Sequence, residues 1–98
     1  MIVRQLRISA EAESDIDQIV AYTMSTWGPE QADKYLTRLE EGLNLLTVNP
    51  LVGRSCNSLQ SGLYRFEIER HVAFYFPEPE GILIVRVLHH SMMPTRHL

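Results

Sequence analysis

The sequence predicts an α+β domain in which a helical hairpin packs on a mostly antiparallel four-stranded sheet, in the order β-α-α-β-β-β. Three observations carry this. Apolar residues recur at helical spacing from residue 10 to 48, broken only at Gly28-Pro29. Alternation of period two runs through residues 62–76, and residues 82–89 are almost wholly apolar. Helices followed by strands, rather than alternating with them, give an α+β architecture.

The first element is a strand over 2–8, with Ile2, Leu6 and Ile8 on one face. Ser9 is a fitting N-cap, and Glu11 in the first turn suits the helix dipole. Ala12, Ile16, Ile19, Val20, Thr23 and Trp27 then line one face of a helix over about 10–26. Asp15, Asp17 and Gln18 fall on its solvated side. Pro29 suits the first position of a second helix, whose stripe of Ala32, Tyr35, Leu36, Leu39, Leu43 and Leu46 ends near residue 48. So short a connection makes the pair an antiparallel hairpin, with Trp27 at its apex. Pro50 and Gly53 stop the second helix, and residues 54–61 read as a loop. In the strand 62–69, Tyr64, Phe66 and Ile68 face one way and Arg65, Glu67 and Glu69 the other. The strand 71–76 puts Val72, Phe74 and Phe76 together, the stretch 77–81 is a hairpin loop, and the strand 82–89 is central, covered on both faces. Either 2–8 or 62–69 must be a sheet edge.

Ninety-eight residues form a single domain, 1–98. With 45% apolar and 21% charged residues, the chain is globular. No apolar run suits a membrane span or a signal peptide, and one cysteine, Cys56, fits a reducing compartment, so a cytoplasmic protein without membrane association is expected. A net charge of −3 argues against sequence-specific nucleic-acid binding, which calls for a basic surplus.

His89 and His90 are adjacent and point to opposite faces of a strand, so no metal site is expected, and no cofactor motif occurs. Ser91 and Cys56 lack the setting of a nucleophile. General acid–base cleavage of RNA stays open, since His71, His89, His90, Arg65, Arg70 and Arg86 supply the residue types. Strand parity weakens that set: Arg86 shares a face with Leu88, and His89 with Val87.

The stretches "ISAEAESDIDQIVAYTMSTWG", "QADKYLTRLEEGLNLLTVNPLVGRSC", "GLYRFEIERHVAFYF" and "GILIVRVLHHSMM", with the terminal "RHL", cover nearly the whole chain. Together they resemble the ParE branch of the RelE/ParE toxin superfamily of bacterial type II toxin–antitoxin systems. The resemblance implies a cytoplasmic toxin that inhibits DNA gyrase and is no enzyme, held in a tight hetero-oligomeric complex by a ParD-like antitoxin. It implies antitoxin contacts at Tyr22, Trp27, Tyr35, Leu39, Arg65 and Arg70, and target contacts at Arg86, His89, His90, Met92, Met93 and Arg96. RelE-type relatives instead cleave mRNA on the ribosome; here that role would fall to His89, His90, Arg70 and Arg65. Val87 stands where such nucleases often carry arginine, and His90 where they often carry tyrosine. Ser91 and Met93 replace the arginine and aspartate usual in ParE-like tails, so a toxin reduced to an antitoxin-binding module is the third reading.

Overall fold

The computed structural model describes residues 5–92 and 94–98; expectations resting on Ile2 and Met93 lie outside them. The chain runs β1 (Gln5–Ile8), α1 (Ala10–Trp27), α2 (Pro29–Val48), β2 (Arg54–Ser55), β3 (Tyr64–Ile68), β4 (His71–Glu78), β5 (Gly81–His89), then a 3-10 turn at Pro94–Arg96. The strands form one sheet in the order β1-β5-β4-β3-β2, with β1 parallel to β5 and the other pairs antiparallel.

Ser9 joins strand to helix by using both ends of its hydroxyl. It accepts from Ala12 N at 3.1 Å, capping α1, and donates to Val85 O of β5 at 2.9 Å. Gly28, at φ 93°, closes α1 and opens α2, and Pro29 follows at the first helical turn.

Both faces of the sheet are apolar, so β4 and β5 are buried on both sides. On the helical face, Leu39, Leu43 and Leu46 meet Ile68, Ala73, Tyr75, Ile82, Ile84 and Val87. On the other, Val72, Phe74 and Leu88 lie under Cys56, Leu63 and Leu59 from the segment before β3. Tyr75, on the helical face, ties β4 to the segment that leaves α2: its hydroxyl donates to Pro50 O at 2.8 Å and accepts from Gly53 N at 3.1 Å.

Four expectations need correction. The sheet has five strands, because Arg54 and Ser55 pair with Arg65 and Tyr64 inside the expected loop. Of the two candidate edges it is therefore the first strand, β1, that lies at the edge, with β2 at the other side. The loop at 77–81 shrinks to Pro79-Glu80, since Glu78 already pairs with Gly81. Asp15 lies in a part-buried ion pair, and Trp27 is 64% exposed although it lies on the helix's apolar stripe. Helical spacing reports which residues share a face, not how far along the helix the covering sheet extends.

Candidate functional site

β1 stops at Ile8, opposite Ile84, so β5 continues past it from Val85 to His89 with no strand on that side among the described residues. α1 crosses this open edge. Asp15 accepts from Val87 N at 2.9 Å and takes a bidentate ion pair from Arg86, at 2.8 Å from Nε and 2.9 Å from Nη2. The pairing of β4 with β5 is irregular between Phe74 and Tyr75, so that Val85 has no partner in the register; such a bulge re-aims the residues beside it. Arg86 Nη1 also donates to His97 O at 2.7 Å, which fastens the C-terminal turn to the same corner. Hydrogen bonding from Asp15, against a smaller opposing effect of burial, raises the Arg86 pKa above its ordinary value.

Beyond that corner an open cleft of about 990 Å³ lies between the helical hairpin and the far end of β4 and β5. One wall carries Tyr22, Trp27, Tyr35 and Arg38; the other carries Arg70, His71, His89 and Met92. The turn Glu69-Arg70 joins β3 to β4 so tightly that Ile68 pairs with His71, and Glu69 adopts φ 56°. The Arg70 N–H thereby reaches the Tyr35 hydroxyl at 3.3 Å.

The same hydroxyl makes a hydrogen bond with Nδ1 of His71, so Tyr35 joins the β3–β4 turn to the histidine cluster. His71 lies edge-on to His89 across the β4–β5 pair, with ring centroids 5.4 Å apart, and His90 stacks on His89 at 4.3 Å. Burial foremost, then the neighbouring His89 and His90, lowers the His71 pKa to about 4. His89 Nδ1 lies 2.7 Å from the Ser91 hydroxyl, and His90 N donates to Arg70 O at 2.9 Å. These bonds fold the end of β5 over the β3–β4 turn.

Most of the residues named from the sequence meet in this cleft, and they mix. Tyr22, Trp27, Tyr35 and Arg70 of the expected antitoxin set line it together with Arg86, His89 and Met92 of the expected target set. His90 and Arg96 are exposed beside it. Two residues do not join. Leu39 is 1% exposed in the core, where it can touch no partner, and Arg65 lies on β3 beside β2. Arg65 is thereby also separated from His89 and Arg70 of the nuclease set. Asp15 and Ser9 were missed as site residues; a carboxylate one turn into a helix and a capping serine look ordinary in sequence, and only the short β1 gives them a second task. Among the described residues no group of three or more His, Cys, Asp or Glu side chains is placed to hold a metal ion, and no helix is long and apolar enough to cross a membrane.

The structure is thus a helical hairpin over a mixed sheet, with the last strand half open beside a cleft of basic and aromatic side chains, the architecture expected of the RelE/ParE class. Residues 6–94 match the family described as ParE toxin of type II toxin-antitoxin system, parDE, and the chain belongs to that family. It is 33% identical over 92 residues to Toxin ParE1 of Mycobacterium tuberculosis, covering 93% of this chain and 94% of that one. Toxin ParE1 of Caulobacter vibrioides is also 33% identical, over 98% of this chain and 99% of its own. Toxin ParE of Escherichia coli shares 33% over 87% of this chain and 84% of its own. Among solved structures, a chain described as "Chromosomal ParDE TA system from P. aeruginosa" superposes with a TM-score of 0.75 at 23% identity, covering 91% of this chain and 98% of that one.

Proposed function

We propose that this ParE-type toxin acts in the cytoplasm without catalysing a reaction, by binding DNA gyrase and blocking replication, and that a ParD-like antitoxin neutralises it by filling the cleft. One observation carries the reading: four residues expected to meet the antitoxin (Tyr22, Trp27, Tyr35 and Arg70) and three expected to meet the target (Arg86, His89 and Met92) line a single cleft. A segment lodged between Trp27 and His89 hides the target-facing side chains, so neutralisation is by occlusion. The cleft's chemistry fits an amphipathic acidic segment. Tyr22, Trp27 and Ile19 offer apolar cover, and Arg38 and Arg70 offer charge to a carboxylate.

A second reading, ribosome-dependent cleavage of mRNA, draws on the convergence of Tyr35, His71, His89 and Arg70 in that cleft. The two separate in cells induced to make the chain alone, with DNA and protein synthesis followed by pulse labelling. Gyrase inhibition is expected to depress DNA synthesis first, and His89→Ala to remain toxic. Protein synthesis falling first, with His89→Ala harmless, would replace it with the nuclease reading.

A further inference from the structure

The surface around β2 carries an arrangement that neither the core nor the cleft uses. β2 is the outermost strand and sets Arg54 directly opposite Arg65 of β3. Like charges facing each other across a strand pair are destabilising. One carboxylate bridges the two: Glu67 Oε1 lies 3.2 Å from Arg54 Nη2 and 3.9 Å from Arg65 Nη2. Two guanidiniums on one carboxylate leave a surplus of positive charge. Arg65 is held with its guanidinium carbon 5.8 Å from the Phe74 ring centroid, and its buried Nε has no hydrogen-bond partner among the described residues. A shallow pocket of about 250 Å³ opens here, lined by both arginines, Glu67, Val52, Gly53 and Phe66.

The outer side of β2 also has no strand partner among the described residues. Cys56 N donates to Leu63 O at 2.7 Å, so Cys56 turns its polar groups inward. By the alternation of an antiparallel pair, the N–H and C=O of Ser55 then point away from β3, off the sheet. Next to this free edge Leu51 and Val52 are 68% and 48% exposed, and Leu45 and Val48 at the end of α2 are exposed with them. An apolar patch rimmed by charge marks a place where something binds.

We propose that this end of the molecule is a second docking surface, which takes an extended acidic segment of the protein that the toxin poisons. The segment pairs its backbone with Ser55, lays a carboxylate on Arg54 and Arg65 alongside Glu67, and covers Leu51 and Val52 with apolar side chains. A second copy of this chain is the wrong occupant, since pairing β2 with its own symmetry mate would add further arginines to a site already in surplus. The cleft is elsewhere: the two share no lining residue, and Arg38 at the cleft and Val48 at this patch lie about 15 Å apart along α2. Both can therefore be occupied at once.

The inference rests on the chain being a toxin and is independent of which target it has. The test is growth arrest on induction of the double variant Leu51→Asp/Arg54→Glu and, separately, of Ser55→Pro. Both substitutions of the double variant sit at exposed positions. Proline at Ser55 removes the outward N–H and fixes φ near about −65° with Arg54 held extended, a change that an edge strand tolerates. Each variant is expected to need at least about tenfold more protein than the parent to arrest growth, the size of effect that losing a binding hot spot produces. Antitoxin affinity is expected to stay within about twofold of the parent's, as for a surface outside the cleft. Unchanged toxicity in both variants would overturn the proposal, as would loss of antitoxin binding in step with toxicity, which would assign the surface to the antitoxin. Arrest by the parent chain checks the toxin reading itself, and the ratio of variant to parent checks this surface.

Discussion

Asp15 is the residue on which the open side of the sheet depends. Its carboxylate serves Arg86 and the Val87 amide together, so removing it leaves a guanidinium and a backbone N–H unpaired in a part-buried corner. Breaking such a pair from one side costs far more than the pair contributes, and Asp15→Ala is expected to lower stability by about 2–4 kcal/mol in urea denaturation. A loss below about 0.5 kcal/mol, the usual range for an exposed helical carboxylate, would show the corner to be dispensable. His71 makes a prediction of a different kind. Folded, it takes a proton only near pH 4; unfolded, it does so at its ordinary 6.5. Between those values the unfolded chain binds more protons, so stability falls as the solution is acidified from 6.5 towards 4 and changes no further on this account below it. The ring is only half buried, and solvent screening reduces the expected loss to about 1–2 kcal/mol. His71→Gln, which still offers Tyr35 an acceptor, should flatten that slope when denaturation curves are compared at pH 7 and pH 5.

The elements themselves were largely legible. Ser9 as a cap, Gly28-Pro29 as the hairpin apex and the span of both helices follow from local chemistry, and the structure keeps them. What could not be read was decided by contacts distant in sequence. Two residues are too short to show a period, so β2 was invisible until β3 lay beside it. Asp15 looked solvated because its partner is on the last strand. The cleft was half legible: the residue types were named, but only the fold shows that Leu39 turns inward and that Arg65 faces another surface. Gly81 illustrates how tightly the elements meet. A Cβ there would lie 1.9 Å from Gln5 O, so no side chain fits where β1 approaches β5. Gly81→Ala is therefore expected to detach or displace β1 and to lower the melting temperature by more than about 8 °C, beyond what a 1 kcal/mol change gives in a domain this size. A melting curve superimposable on the parent's would mean that β1 yields without cost.

At the scale of the whole molecule, the separation of cleft and β2 edge allows a toxin to be recognised by two proteins from two sides. Trp27 is the chain's single tryptophan and stands exposed on the cleft wall. Filling the cleft with an antitoxin segment is expected to shift its emission to the blue and protect it from iodide quenching, whereas occupation of the β2 edge should leave it unchanged. Emission that does not respond to saturating antitoxin would place the antitoxin elsewhere.

The parallel pairing of β1 with β5 also sets a clock on synthesis. Gln5 finds its neighbour at Gly81, so the first strand made has no place to go until almost the last strand has been translated. At about 5–20 residues per second the interval is roughly 4–15 s. Throughout it Ser9 lacks Val85, Asp15 lacks Arg86, and the cleft has only one wall. A toxin of this fold thus acquires its complete cleft only after nearly the whole chain has been read out.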